Sequence, residues 1–342
     1  MNQKIYIKQY TGNQFNAGPK AKRDVYEILD RNGFCSITYL PGFKSTNFFV
    51  FFCKTIIFLF AVLKCRQDII IFENPIWYSK FLMIINKFLK IRKNKLILFI
   101  HDISSERSKD SSKKEEYQFL NSFHQIIAHN DSMKNFLNES LPKKNISSLG
   151  IFDYLIKTKT SNKMLNRPDL DEINWKIVFA GNLDVKKSPF IYQLSKKQLD
   201  WSLFLYGQGY ENTLGQNNMT YKGSFEPDTP SIDNNSHFGL IWDGTSVDSC
   251  EGITGEYLKI NNPHKLSMYM SLGLPVIVWK QSAVAKFILD NKIGFVVDSL
   301  LDISLKLKET KEKDYINYLK NVKTIEEKVN SGYYLSQIIK KL

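Results

Sequence analysis

The chain has 342 residues, 43% hydrophobic and 24% charged, a composition that suits two core-forming domains and excludes a disordered chain. Its net charge of +13 is uneven: residues 1–150 hold 23 Lys/Arg against 12 Asp/Glu, whereas residues 151–342 hold 24 against 22. The first half is therefore suited to an anionic partner, and the absence of helix-turn-helix, zinc-finger or RNP-type sequences argues against nucleic acid as that partner.

In chain order, Lys4–Gln9 reads as a strand, followed by the Gly/Asn-rich loop Tyr10–Pro19 and a helix over Lys20–Arg31 that Gly33 closes. Phe34–Tyr39 is a second strand. Asp68–Phe72 and Lys95–Ile100 are short β-branched apolar runs of the kind found in buried parallel strands, and Gln125–Ala128 is another. Asn130 is placed to cap a helix over Asp131–Asn138. Residues 158–172 are polar and read as a linker between an N-terminal domain, 1–157, and a C-terminal one, 173–324; residues 325–342 form a terminal helix that can return to the N-terminal domain.

The alternation then repeats. Strands are expected at Trp175–Ala180, Ser202–Tyr206, Met219–Lys222, His237–Trp242, Pro275–Trp279 and Gly294–Asp298. Helices are expected at Ser188–Leu199, with Pro189 in its first turn, and at Lys265–Leu272, Ala283–Asn291 and Leu301–Glu309. Asp314–Leu342 reads as terminal helix in two pieces. Strands alternating with helices on both sides of a linker predict an α/β protein of two doubly wound Rossmann-like domains facing a central cleft. Ligands bind beyond the carboxyl ends of such strands, so the residues that follow strands matter most.

The strongest local signal is Asn261-Asn262-Pro263-His264-Lys265 at the start of a helix. A helix N-terminus offers unpaired N–H groups and the positive end of the macrodipole, which suits phosphate. Lys265 is unfavourable there for the helix itself and useful opposite a diphosphate. The alternative is that Asn262 is an ordinary N-cap and Lys265 a solvated residue. Gly181-Asn182, Gly207, Gly209, Gly223, Phe225 and Asp243 also follow strands, although each glycine alone is equally consistent with a tight turn.

The stretches HFGLIWDG, NNPHKLSMYMSLGLPVIVWKQSAVAKFILDNKIGFVVDS, NQFNAGPKAKRDVYEILDRNGF and LILFIHDIS resemble bacterial GT-B glycosyltransferases. In detail they resemble the group of β-1,6-galactofuranosyltransferases and the glucosyltransferases that extend serine-rich adhesin glycans. The resemblance implies transfer of a galactofuranosyl, glucosyl or galactosyl unit from a UDP-sugar to a glycan acceptor, lipid- or protein-linked, in envelope polysaccharide or glycoprotein synthesis. It implies that His264 and Lys265 hold the donor diphosphate with Asn261, and that Gly181, Asn182, Gly207, Gly209 and Asp243 lie against the donor. Gly223 and Phe225 would hold the nucleobase, and the loop bearing Gly12, Asn16 and Gly18 would cradle phosphate or close over the sugar. Around residues 104–118 the sequence departs from that group, so acceptor identity does not carry over.

An inverting transfer needs a base for the acceptor hydroxyl. Asp102, favoured over His101, follows the strand LILFI; alternation lets one of the two face the cleft, and Glu73 is a third candidate. Asp169-Leu170-Asp171 spells a metal motif of another glycosyltransferase fold but falls in the linker, so neither metal nor cofactor is expected. A nucleotide-sugar epimerase, a phosphorylase and a non-catalytic scaffold with a vestigial donor site are the competing readings of the same fold.

Phe48–Leu63 (FFVFFCKTIIFLFAVL) is short of the ~20 residues that span a bilayer. With the cation-rich Trp77–Lys95 beside it, it reads either as peripheral membrane contact or as a buried helix next to a solvated basic face. The four cysteines form no CxxC pair, and no signal-peptide h-region opens the chain, which points to a cytoplasmic protein at the inner face of the membrane. A homo-oligomer is compatible with the sequence.

Overall fold

The computed structural model describes residues 3–9, 17–40, 47–108, 112–157, 174–211 and 218–342. The chain forms two compact units, one running to Gly150 and reclaiming Tyr334–Leu342, the other made of Ile151–Tyr333 together with a short N-terminal segment that includes Ala17. Gly12, Asn16, Asp169 and Asp171 lie outside the described residues, as does all of the expected linker.

The first unit alternates β1 (Lys4–Lys8), α1 (Ala17–Arg31), β2 (Cys35–Thr38), α2 (Phe48–Lys64), β3 (Ile69–Asn74), α3 (Ser79–Ile91) and β4 (Lys95–Ile100). It continues through α4 (Ser104–Arg107), α5 (Lys113–Asn121), β5 (Gln125–Ala128), α6 (Asp131–Ser140) and β6 (Asn145–Ser148). All six strands are parallel, in the order β2-β1-β3-β4-β5-β6. The central strands are buried almost throughout, which is why IIIFEN and KLILFI lack polar alternation. Asn130 caps α6 through a 2.8 Å bond from the Met133 amide to Oδ1.

α1 begins three residues earlier than the sequence suggests, so Gly18 sits in a helical first turn and not in the loop. Pro19 fits there because first-turn N–H groups have no intrahelical partner.

The second unit contains β7 (Lys176–Ala180), α7 (Pro189–Leu194), β8 (Ser202–Tyr206), β9 (Met219–Tyr221), β10 (Phe238–Ile241), α8 (Gly252–Tyr257) and α9 (His264–Ser271). β11 (Val276–Trp279), α10 (Ala285–Asn291), β12 (Gly294–Val297), α11 (Ile303–Glu309) and α12 (Glu312–Ser331) follow. Its parallel sheet runs β12-β11-β10-β7-β8-β9, the dinucleotide-fold order in which the winding reverses between the first and fourth strands. α7 stops at Leu194, five residues short of the expected end, where a turn through Lys196 and Lys197 lets Leu199 and Trp201 enter the core. α12 ends at Gly332, whose φ of +78° suits glycine, and α13 (Tyr333–Ile339) follows it. α13 buries Leu335, Ile338 and Ile339, and Asn32 Nδ2 donates to Ser336 Oγ at 3.0 Å.

Candidate functional site

In the second unit the winding reverses between β7 and β10, and Lys265 sits at that point. Its ammonium donates to the Trp242 carbonyl at 3.1 Å and lies 3.4 Å from both Asp243 carboxylate oxygens, just past β10. It also stands 4.3 Å from the centre of the Phe179 ring on β7. A Cβ at Gly181 would meet the lysine's Cε at 3.5 Å. One cation thus joins the ends of both switch-point strands while keeping some contact with solvent.

α9 begins at His264 with Pro263 as its N-cap, a residue that makes no side-chain cap hydrogen bond. Asn262 therefore does not act as the ordinary cap. A helix start whose N-cap residue has no polar side chain, with a lysine in its first turn, concentrates positive potential. His264 packs against Phe152 and Tyr154, with ring centres 5.5 and 5.1 Å away. Asn261 lies in the turn before α9, its amide bonded to the Tyr257 carbonyl at 2.9 Å.

Three of the sequence-selected glycines form a row across the carboxyl ends of β7, β8 and β9. The Gly181 amide donates to Tyr206 O at 2.9 Å, and the Gly207 amide donates to Gly223 O at 2.9 Å. Gly207 has φ +141°, and a Cβ there would lie 1.7 Å from the Gly181 carbonyl oxygen, so only glycine lets these loops cross. Gly209 packs as closely on the other side, where a Cβ would come within 2.9 Å of the Asp184 amide. The Asn182 side chain is engaged locally, accepting from the Asp184 amide at 2.8 Å. Phe225 is half-buried, with its ring 5.6 Å from Tyr206, and leaves part of a face beside Gly223.

The residue that sequence reasoning missed is Tyr269. Its hydroxyl accepts from the Ala180 amide at 2.9 Å and donates toward Val178 O at 3.1 Å, in the heart of the unit. Its ring covers Gly239, where a Cβ would lie 2.4 Å from the ring. Burial pushes the phenol's pKa well above its ordinary value, so it stays protonated. The available signals were a tyrosine four residues after Lys265 and a glycine inside the apolar run HFGLIW.

In the first unit the winding reverses between β1 and β3, and a buried polar cluster occupies that point. Gln9 Nε2 donates to the Glu73 carbonyl at 3.1 Å, and the Tyr26 hydroxyl accepts from the Gln9 amide at 2.9 Å. Glu73 Oε1 lies 2.8 Å from His101 Nε2, a nitrogen that donates when it faces a carboxylate. Burial and the Glu73 charge hold the Tyr26 phenol far above its usual pKa, while burial lowers that of the Lys22 ammonium against the pull of Glu73 and Asp102. His129, wholly buried, has its pKa pushed down to about 3 by burial, with His101 as a further cause.

His101 and Asp102 diverge. The imidazole is turned inward to Glu73 with 8% of its side chain exposed, whereas the Asp102 carboxylate pairs with Arg107 and is 26% exposed. Asn74 fixes the turn between them, accepting from the His101 amide at 2.8 Å and donating to the Asp102 carbonyl at 2.7 Å. Of the pair, Asp102 can meet a hydroxyl brought from outside. Among the described residues, no group of three or more His, Cys, Asp or Glu side chains is arranged to hold a metal ion.

Residues 4–151 match the N-terminal domain, and residues 177–342 the C-terminal domain, of the Glucosyltransferase 3-like family. The chain is 32% identical over 330 residues to the β-1,6-galactofuranosyltransferase WbbI of Escherichia coli, covering 96% of this chain and 94% of that protein. It is 25% identical over 281 residues to glucosyltransferase 3 of Streptococcus gordonii, with 80% and 78% covered. Among solved structures, sucrose-phosphate synthase from Thermosynechococcus elongatus aligns with a TM-score of 0.60 at 12% identity over 99% of both chains. HepE of Anabaena, solved with UDP and glucose, aligns at 0.59 and 14% identity over 100% of both. These structural likenesses show the fold, and the sequence matches span both units. The chain is a member of the Glucosyltransferase 3-like family, glycosyltransferases of the GT-B fold.

Proposed function

We propose that this protein transfers a galactofuranosyl, glucosyl or galactosyl unit from a UDP-sugar to a glycan acceptor, with inversion and without a metal ion. The carrying observation is the Lys265 ammonium at the reversal of the second sheet, in the first turn of a helix whose N-cap is Pro263. The acceptor oxygen attacks the anomeric carbon as the bond from that carbon to the diphosphate oxygen breaks, and UDP leaves with the electron pair. Lys265 and the first-turn amides of α9 stabilise the charge that develops on the diphosphate. The glycine row brings main chain close to the nucleotide, and Gly223 and Phe225 hold the base. Asp102 takes the acceptor proton.

Relatives named as a galactofuranosyltransferase and a glucosyltransferase, and the UDP and glucose bound to HepE, support this substrate class, and the basic first half suits a lipid- or protein-linked acceptor at the inner face of the cell membrane. Incubation with UDP-glucose, UDP-galactose and UDP-galactofuranose, following UDP release with and without acceptor glycans, tests the reading. Acceptor-dependent release with one donor supports it; no release with any of them overturns it.

A further inference from the structure

α2 has an apolar outer face where a surface helix ordinarily carries polar residues. Phe58 and Val62 are its buried residues. The opposite side presents Phe49, Phe52, Ile56, Phe60 and Leu63, spaced as one stripe along four turns, and all five are exposed. Phe49 is 72% exposed, and Ile57 at the edge of the stripe is 67% exposed. The adjoining loop adds Trp77, 54% exposed, held near α2 because the Tyr39 hydroxyl donates to Trp77 O at 2.9 Å and the Tyr39 ring packs on Phe58. An apolar surface this continuous is uncommon on a monomer and marks a contact.

The surrounding charge decides what makes that contact. Between Arg31 and His101 the only acidic residues are Asp68 and Glu73, and both are buried. The exposed charge of this stretch is therefore cationic, including Lys54 and Lys64 on α2 itself, Arg66 and Lys87, whereas Lys80 pairs with Glu115 at 2.8 Å. A second copy of this chain would bring the same cations against them. An anionic bilayer instead offers apolar depth for the stripe and negative headgroups for the rim. No helix among the described residues is long and apolar enough to cross a membrane, so the helix would lie in the interface.

We propose that the α2 stripe, with Trp77 at its edge, is the surface by which this protein docks on an anionic lipid bilayer. The proposal rests on the membrane-side reading above for its biological setting but is independent of donor chemistry.

Trp77 supplies the readout, because the other four tryptophans, Trp175, Trp201, Trp242 and Trp279, are buried. The full chain is mixed with vesicles of phosphatidylcholine alone or with phosphatidylglycerol, brominated or not, and both co-flotation and tryptophan quenching are followed. Binding to the anionic vesicles, with quenching that Trp77→Phe abolishes, is expected. Phe49→Ser/Phe60→Ser lowers partitioning at least tenfold, and Lys54→Gln/Lys64→Gln lowers it about 30-fold, since each cation near an anionic leaflet contributes roughly 1 kcal/mol.

All these positions are exposed, and matching circular dichroism with unchanged UDP release toward a soluble acceptor establishes that the variants are folded. Absence of flotation in wild-type protein that is folded and active overturns the proposal. So does anionic-vesicle binding that the α2 variants leave intact, or a wild-type dimer that they dissociate. Lys265→Ala protein is expected to float normally, which separates this proposal from the donor-site reading.

Discussion

Lys265 and Tyr269 lie one helical turn apart on α9, and the buried Tyr269 hydroxyl ties that helix to the main chain of β7 while the Lys265 ammonium stands over the Phe179 ring of the same strand. The lysine's position is thereby set by the sheet and not by its own flexible stem. Replacing Tyr269 with Phe leaves the Ala180 amide buried without its acceptor, at a cost of about 1–3 kcal/mol. Urea unfolding is expected to show that loss with an unchanged m-value, and UDP affinity is expected to fall with it. Unaltered stability would mean the hydroxyl does not anchor the helix.

Lys265→Ala removes the cation and leaves the core alone, since the ammonium is partly solvated and its partner Asp243 is partly exposed. A charge-assisted hydrogen bond contributes roughly 1.5–3 kcal/mol, so UDP affinity measured by calorimetry is expected to drop about 10- to 150-fold. The melting temperature stays near that of the wild type. Unchanged affinity would remove the centre of the donor site.

The glycine row offers a paired test. Gly207→Ala places a methyl group 1.7 Å from a carbonyl oxygen and is expected to destabilise by on the order of 4 kcal/mol, with loss of UDP binding. At Gly223 nothing lies within 4 Å of an added Cβ, and its φ of +83° alone costs Ala about 1–2 kcal/mol. Thermal melts of the two variants should rank accordingly; equal effects would mean that the close crossing at Gly207 is not what selects glycine there.

Asp102→Asn is expected to lower kcat by roughly 100-fold or more, the usual contribution of a positioned base, while UDP affinity holds. Glu73→Gln probes the layer beneath: it removes the charge facing His101 in a buried site, and its first effect is on stability. If Asp102→Asn keeps full turnover, the proton goes elsewhere.

His129 predicts a pH dependence. Its pKa in the folded protein is about 3, below the unfolded value of roughly 6.5, so the unfolded chain binds the extra proton between those limits. The contribution is full above pH 6.5 and is lost as pH falls toward 3, with a slope approaching about 1.4 kcal/mol per pH unit. Denaturant titrations at pH 7, 6 and 5 should show wild-type stability falling relative to His129→Asn; parallel curves would refute this.

Much of the candidate site's layout was legible in the sequence because its signals are local. The run Asn261–Lys265 marks a helix start whatever surrounds it, and the strand ends at Gly181 and Asp243 are read from apolar runs that stop. What stayed hidden depends on strand order. β7 and β10 are neighbours in space yet separated by two other strands in sequence, so nothing local announced that Tyr269 and Lys265 address both. The glycines looked like separate turns until β7, β8 and β9 lay side by side. Alternation could say that His101 and Asp102 point apart, but choosing between them required Glu73, 28 residues earlier. In α2, the apolar residues occupy both faces, so periodicity could not say which side is covered.

The return of residues 334–342 to the first unit, where Lys95 Nζ donates to Leu342 O at 3.0 Å, bears on how the molecule is made. All but a short N-terminal segment of the second unit runs from Ile151 to Tyr333, and that stretch can close as soon as it leaves the ribosome. The first must wait for its last helix until all of the second has been translated, with the hollow for Leu335, Ile338 and Ile339 open to solvent meanwhile. Amino-terminal fragments that end before α13 are accordingly expected to be the aggregation-prone species during synthesis.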